Sequence, residues 1–168
     1  VGGGVVDNTT HGKAAVYNDA NARIILSGGT YTRSQEASKN ESDGGGNSYY
    51  VIKNFDNMTI EDGVTVKFSD ENPGLYSSLI GNGWQDSTAA EAGTNGEPKP
   101  SVSGNNASLK INGGTFTGGQ ITVKNDDFGN LTIEDGTFTQ PSAGRSAVAN
   151  NHKATINGGT FTSVDGPV

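Results

Sequence analysis

The chain has 168 residues, a formal net charge of -7 at pH 7 and no cysteine. Its acidic balance argues against nucleic acids and anionic membranes as partners, because both attract basic surfaces, and the lack of cysteine excludes disulfides and thiolate metal sites. No apolar run approaches the roughly 18–20 residues of a membrane span, so we expect no membrane insertion. The opening Val1-Gly2-Gly3-Gly4 is not a signal peptide, and we expect residues 1–168 to be a single domain excised from a longer multidomain protein.

A nine-residue phrase with a glycine turn recurs along the chain. In chain order its copies span residues 24–32, 58–66, 109–117, 131–139 and 154–162. The step between the last three copies is too short for two packed helices and suits one turn of a solenoid. Apolar residues alternate with polar ones on both sides of the turn, which predicts two short strands in each copy.

A further short strand that ends in asparagine precedes each copy. In chain order these asparagines are Asn18, Asn54, Asn82, Asn125 and Asn150. Each coil therefore has three strands, and the sequence predicts an all-β fold, a right-handed parallel β-helix (β-solenoid) of about five three-stranded coils with inserted loops. We expect the five asparagines to stack as a structural ladder, because each side-chain amide can donate to one neighbour and accept from the other.

The turns inside the five copies alternate in charge. In order they read Ser-Gly-Gly, Glu-Asp-Gly, Asn-Gly-Gly, Glu-Asp-Gly and Asn-Gly-Gly. Carboxylates one rung apart would repel by about 1 kcal/mol even in water, so the alternation favours an in-register stack of all five coils. The threonines that flank the inward phenylalanines should point outward on one face, and we expect Val64-Thr65-Val66 to break that array in the second coil.

Two long insertions interrupt the repeat, at residues 33–48 and 83–101. Insertions on solenoids usually build the binding face, and tyrosine and tryptophan outside a core are common interface anchors. The residues that we predict to contact a ligand are Trp84, Tyr76, Tyr50, Tyr49, Gln85 and Arg33. The alternative for the aromatic residues is that they cap the core beneath long loops, and Tyr50, which opens a strand, suits that role best.

The repeated Ile-Asn-Gly-Gly-Thr-Phe-Thr rungs resemble the pectate-lyase-like right-handed parallel β-helix superfamily, and especially the adhesin-type surface proteins of Gram-positive gut-type bacteria. The resemblance extends over nearly the whole chain. It implies an extracellular protein, on the bacterial cell surface or secreted, that takes part in host interaction. In the surface-protein branch, the resemblance implies attachment to host molecules such as mucosal glycoproteins or secreted immunoglobulins.

Enzymes also belong to this superfamily, so the resemblance raises an enzymatic alternative. Its lyases use stacked aspartates for calcium with a nearby basic residue, and its hydrolases place two or three carboxylates on one face. The candidates here are Asp126, Asp127, Arg145 and the His152-Lys153 pair, but neighbouring rungs supply no further acids. We therefore predict no enzyme activity, no metal site and no cofactor.

The function that we predict is a non-catalytic binding module of a bacterial cell-surface protein that attaches to a host macromolecule. A host protein or glycoprotein, such as a mucosal immunoglobulin, is favoured over a free glycan, because the sequence has no evenly spaced row of aromatic residues for stacking sugars. Neighbouring domains of the same chain are further expected partners. The alternatives are a structural spacer or stalk, a polysaccharide-active β-helix enzyme, and ice binding by the outward threonines.

Overall fold

A computed structural model of the protein describes residues 2–7, 14–33, 50–68, 78–84, 106–141 and 145–166. These residues contain sixteen β-strands and no helix. The strands form three parallel sheets, and each complete coil contributes one strand to every sheet. The protein is thus a right-handed parallel β-helix with five three-stranded coils, as the sequence predicts, and its sheets do not close on one another.

The first sheet, here called the asparagine sheet, contains β2 (Val16–Asn18), β5 (Ile52–Asn54), β8 (Ile80–Asn82), β11 (Val123–Asn125) and β14 (Val148–Asn150). The middle sheet contains β3 (Arg23–Leu26), β6 (Asn57–Ile60), β9 (Ala107–Ile111), β12 (Gly129–Ile133) and β15 (Lys153–Ile156). The threonine sheet contains β1 (Gly2–Asp7), β4 (Gly28–Arg33), β7 (Val64–Phe68), β10 (Thr115–Thr117), β13 (Thr137–Gln140) and β16 (Thr160–Ser163). Strand β1, which the repeat does not predict, adds an incomplete rung beside β4.

Period-two alternation places one apolar column of each sheet inside the coil. The clearest column is formed by Phe116, Phe138 and Phe161 in successive coils. Their ring centroids are 4.7 and 4.8 Å apart, and the ring planes are within 8° and 6° of parallel. Equivalent side chains therefore share one continuous core, which is how a chain with few large apolar residues in each coil can fold.

The five asparagines form the continuous ladder that the sequence predicts. Each Nδ2 donates to the Oδ1 of the next coil, at 2.7 Å for Asn18 to Asn54, 2.7 Å for Asn54 to Asn82, 2.8 Å for Asn82 to Asn125 and 2.7 Å for Asn125 to Asn150. The same Nδ2 atoms also reach backbone carbonyl groups at the corner. The ladder thereby satisfies polar groups that the bend removes from the sheets.

The alternation of the turns is also present in the stack. Asn112 Nδ2 donates to Glu61 Oε2 at 2.8 Å, and Asn157 Nδ2 donates to Glu134 Oε2 at 2.8 Å. An amide therefore lies beside each of these glutamates in the next coil, and the two carboxylates are kept two rungs apart. The neutral turns contribute hydrogen bonds as well as spacing.

The prediction that Val64-Thr65-Val66 breaks the threonine array is wrong for the first threonine column, which Thr65 continues, whereas Lys67 takes the place of a threonine in the second. In the strand register Thr30 pairs with Thr65 and Tyr31 with Val66, and Thr65 then pairs with Thr115. The turn of the second coil is one residue longer than the others, so Val64 and Val66 point inward and are buried while Thr65 points outward. Burial of both valines sets this register, because a shift by one residue would expose them.

Candidate functional site

Three of the six predicted ligand-contacting residues lie in the described part of the chain, and all three are buried. The exposed fractions are 1% for Trp84, 2% for Tyr50 and 0% for Arg33. The expectation that these side chains present an exposed binding surface is therefore wrong. Tyr76, Tyr49 and Gln85 lie outside the described residues, as do most of the two long insertions.

Trp84 belongs to a small aromatic cluster at the asparagine corner. Its ring centroid lies 5.3 Å from that of Phe55 and 6.0 Å from that of Phe128, and Tyr17 extends the row with a centroid 5.4 Å from that of Phe55. Backbone hydrogen bonds of 3.0 and 2.9 Å between Trp84 and Asp127 fix the chain beside it. Trp84 is thus a packing residue, in line with the core-capping alternative.

Tyr50 and Arg33 are also buried. The Tyr50 ring lies on the strand of the third coil, where a Cβ on Gly81 would come within 2.7 Å of ring atom Cε1. Arg33 is in register with Phe68, whose side chain is part of the main core. The sequence gives the positions of these residues but not their direction, because both flank an insertion where strict alternation ends.

The outward threonines form two columns on the threonine sheet. The first column contains Thr30, Thr65, Thr115, Thr137 and Thr160, and the second contains Thr32, Lys67, Thr117, Thr139 and Thr162. Most threonines of the last three coils are exposed, whereas Thr32 is 9% exposed. The exposed part of the array therefore lies toward the C-terminal coils.

An open groove of about 390 Å³ runs beside the first threonine column, along the corner between the middle and threonine sheets. Its polar lining includes Asp62, Asn112, Thr115, Asp135, Thr137 and Thr160, which come from four consecutive coils. Glycines in the turns allow consecutive coils to approach closely along the groove. A Cβ on Gly113, for example, would lie 3.0 Å from Asp62 Cβ. Carboxylate, amide and hydroxyl groups thus line one continuous surface that can exchange hydrogen bonds with an elongated polar ligand.

The candidate catalytic residues do not come together in one site. The Asp126 carboxyl is fully buried, with Lys124 Nζ 3.1 Å from Oδ1 and Lys53 Nζ 4.0 Å from Oδ2. Arg145 and His152 are exposed, and His152 Nδ1 lies 3.2 Å from the Gly129 carbonyl oxygen. Among the described residues no three acidic, histidine or cysteine side chains are grouped as a metal site would require.

The sequence does not predict the Lys53–Asp126 contact. Its two residues belong to different coils, and only the strand register brings them together. Burial raises the pKa of the Asp126 carboxyl, although the nearby charges of Lys53 and Lys124 act in the opposite direction. This cluster is the main concentration of buried charge in the described part of the chain.

No protein-family model matches the chain, and no curated protein or solved structure is detectably similar to it. The described residues also contain no helix that is long and apolar enough to cross a membrane.

Proposed function

We propose that the chain is a non-catalytic binding module of a bacterial cell-surface or secreted protein, and that it attaches to a host macromolecule through the corner groove. The observation that carries this proposal is the polar groove, which continues across four coils beside exposed threonines. A host glycoprotein is the favoured partner, because an extended polar chain can exchange hydrogen bonds with the carboxylate, amide and hydroxyl groups that line the groove.

The rigidity of the scaffold supports this assignment. Strand ladders of the threonine sheet and the middle sheet hold the backbone on both sides of the corner, and the Asn112–Glu61 hydrogen bond orients the Asn112 side chain before a ligand arrives. Preorganised contacts lose less entropy on binding. A structural spacer is the main alternative, but a spacer has no need of a groove. Ice binding is less well supported, because Lys67 interrupts the second threonine column and the groove makes the surface concave.

The test measures binding of the immobilised chain to purified mucin and to secretory immunoglobulin. Thr137→Arg places a long cationic side chain in the middle of the groove, and we expect it to weaken binding at least tenfold, or about 1.4 kcal/mol. Thr132→Arg is the matched control, because Thr132 occupies an outward position of the middle sheet in the same coil. Equal binding by the two variants would place the site elsewhere, and no binding by the unmodified chain would favour the spacer.

Enzymatic deglycosylation of the same two probes separates the glycan and protein parts of the ligand. Loss of binding after this treatment would show that the groove holds the carbohydrate. Retained binding that remains sensitive to Thr137→Arg would show that it holds the polypeptide.

A further inference from the structure

Two lysines and one aspartate form a buried cluster on the outer face of the asparagine sheet. Lys53 in β5 and Lys124 in β11 lie in the same row, two coils apart, with Gly81 between them. Asp126, which follows β11, contacts both lysines. The exposed side-chain fractions are 5% for Lys53 and 0% for Asp126, against 17% for Lys124.

The two carboxyl oxygens of Asp126 have different surroundings. Oδ1 faces Lys124 Nζ at 3.1 Å and accepts a hydrogen bond from Asn151 Nδ2 at 3.4 Å. Oδ2 accepts no hydrogen bond within the described residues and faces Lys53 Nζ at 4.0 Å. The carboxyl group therefore has one oxygen held by two donors and a second oxygen turned toward a buried amine.

The Lys53 amine is buried against two aromatic rings. Its Nζ lies 4.5 Å from the centroid of the Tyr50 ring and 4.8 Å from that of Phe55. Burial disfavours the charged form of an amine and of a carboxyl group alike, and it raises the pKa of Asp126. Transfer of the proton from Lys53 to Asp126 gives a neutral amine beside a neutral carboxylic acid, which is the reactive pair for amide formation.

We propose that Lys53 and Asp126 are joined by an intramolecular isopeptide bond. The Lys53 amine attacks Cγ of Asp126, and the negative charge that develops on Oδ1 is stabilised by Lys124 and Asn151. The N–Cγ bond forms and the Cγ–Oδ2 bond breaks. Oδ2 leaves as water with the acid proton and one amine proton, so the reaction needs no oxidant and no co-reactant.

The bond would tie the second coil to the fourth across the third. The sequence between the linked residues includes the insertion at 83–101, and closing a long loop restricts the unfolded chain. The protein has no cysteine and so no disulfide that could serve this purpose. An isopeptide bond would also remove the cost of keeping two charges buried.

The test is the mass of the intact, denatured protein. We expect nearly every chain to be lighter than its sequence by one water, and a protease digest to contain one branched peptide joining Lys53 to Asp126. A chain of full sequence mass would overturn the proposal. So would a water loss that maps to an aspartate–glycine step such as Asp135-Gly136, where a succinimide has the same mass but hydrolyses in mild base.

Two lysine variants identify the nucleophile. Lys53→Arg should restore the full sequence mass, whereas Lys124→Arg keeps a cation near Oδ1 and should retain the water deficit. The opposite pattern, with the deficit lost only in Lys124→Arg, would overturn the assignment to Lys53. The measurement on the unmodified protein does not depend on the folding of either variant.

Discussion

Replacing an asparagine of the ladder leaves its neighbours with unsatisfied hydrogen-bonding groups, and the cost depends on how deeply these groups are buried. Asn82 is fully buried, accepts from Asn54 Nδ2 and donates to Asn125 Oδ1 at 2.8 Å. Asn82→Ala leaves the buried Asn125 oxygen without that donor. We expect the free energy of unfolding to fall by about 2–4 kcal/mol, measured by urea denaturation, because an unsatisfied buried group costs about 1–3 kcal/mol and further hydrogen bonds are lost.

Asn150→Ala is the matched control at the exposed end of the same ladder. Asn125 Nδ2 would lose Asn150 Oδ1 but would keep the carbonyl oxygens of Gly129 and Lys153, at 2.8 and 3.0 Å. We expect a loss below about 1 kcal/mol. Equal losses in the two variants would mean that the ladder is not the main contribution of Asn82.

The sequence predicts the direction of side chains within strands but not at the ends of strands. Within a strand, alternation predicts direction, and Phe116 points inward while Thr115 and Thr117 point outward. Trp84 follows the corner after β8, where no alternation applies, and its burial depends on contacts with Phe55 and Phe128 from neighbouring coils. The spacing of apolar residues within one coil does not predict contacts between coils.

The glycine turns differ in how closely the neighbouring coil approaches them. Gly114 has a φ of +110°, and a Cβ there would lie 2.7 Å from the Val64 carbonyl oxygen. Gly63 has a φ of +85°, with no atom within 4 Å of a Cβ. We expect Gly63→Ala to cost about 1–2 kcal/mol through backbone strain. Gly114→Ala should cost about 1–3 kcal/mol more, because the backbone carbonyl must also move.

Thermal unfolding of the two variants side by side measures this difference. Both variants have the backbone strain of a positive φ, so this contribution cancels when their losses of stability are compared. The difference that remains measures the close approach between coils at Gly114. If Gly63→Ala were the more destabilising substitution, the turn of the third coil could not be packed against Val64 as described.

The repeat predicts the strands, their order and their stacking, because each copy has the same alternation and a turn at the same place. It does not predict β1, which has no complete copy around it. It also misplaces Thr65, because the longer turn of the second coil becomes visible only when Val64 and Val66 are required to be buried. The groove was missed for a related reason: it is formed by turns stacked across coils and corresponds to no single motif.

Stability should vary along the solenoid axis. Each coil packs mainly against the coils next to it, so a central coil is covered on both sides and a terminal coil on one. In the last described coil Ile156 is 49% exposed, whereas the equivalent Ile133 in the preceding coil is fully buried. The C-terminal edge should therefore open more readily than the centre, although it carries part of the proposed binding face.

The Thr-Phe-Thr motif allows this gradient to be measured with one substitution at two positions. Phe138 is fully buried between Phe116 and Phe161, whereas Phe161 is only partly buried and stacks on Phe138. Phe138→Ala should cost about 3–5 kcal/mol, as expected for a large cavity in a core. Phe161→Ala should cost roughly half as much, because less of its ring is removed from water.

Chemical denaturation of both variants, at two protein concentrations, checks the prediction. Equal costs that are the same at both concentrations would contradict the gradient within a single chain. Equal costs that appear only at the higher concentration would instead mean that the last coil is covered by a second molecule in solution. In that case association would bury Ile156, and the end of the solenoid would be an interface between copies.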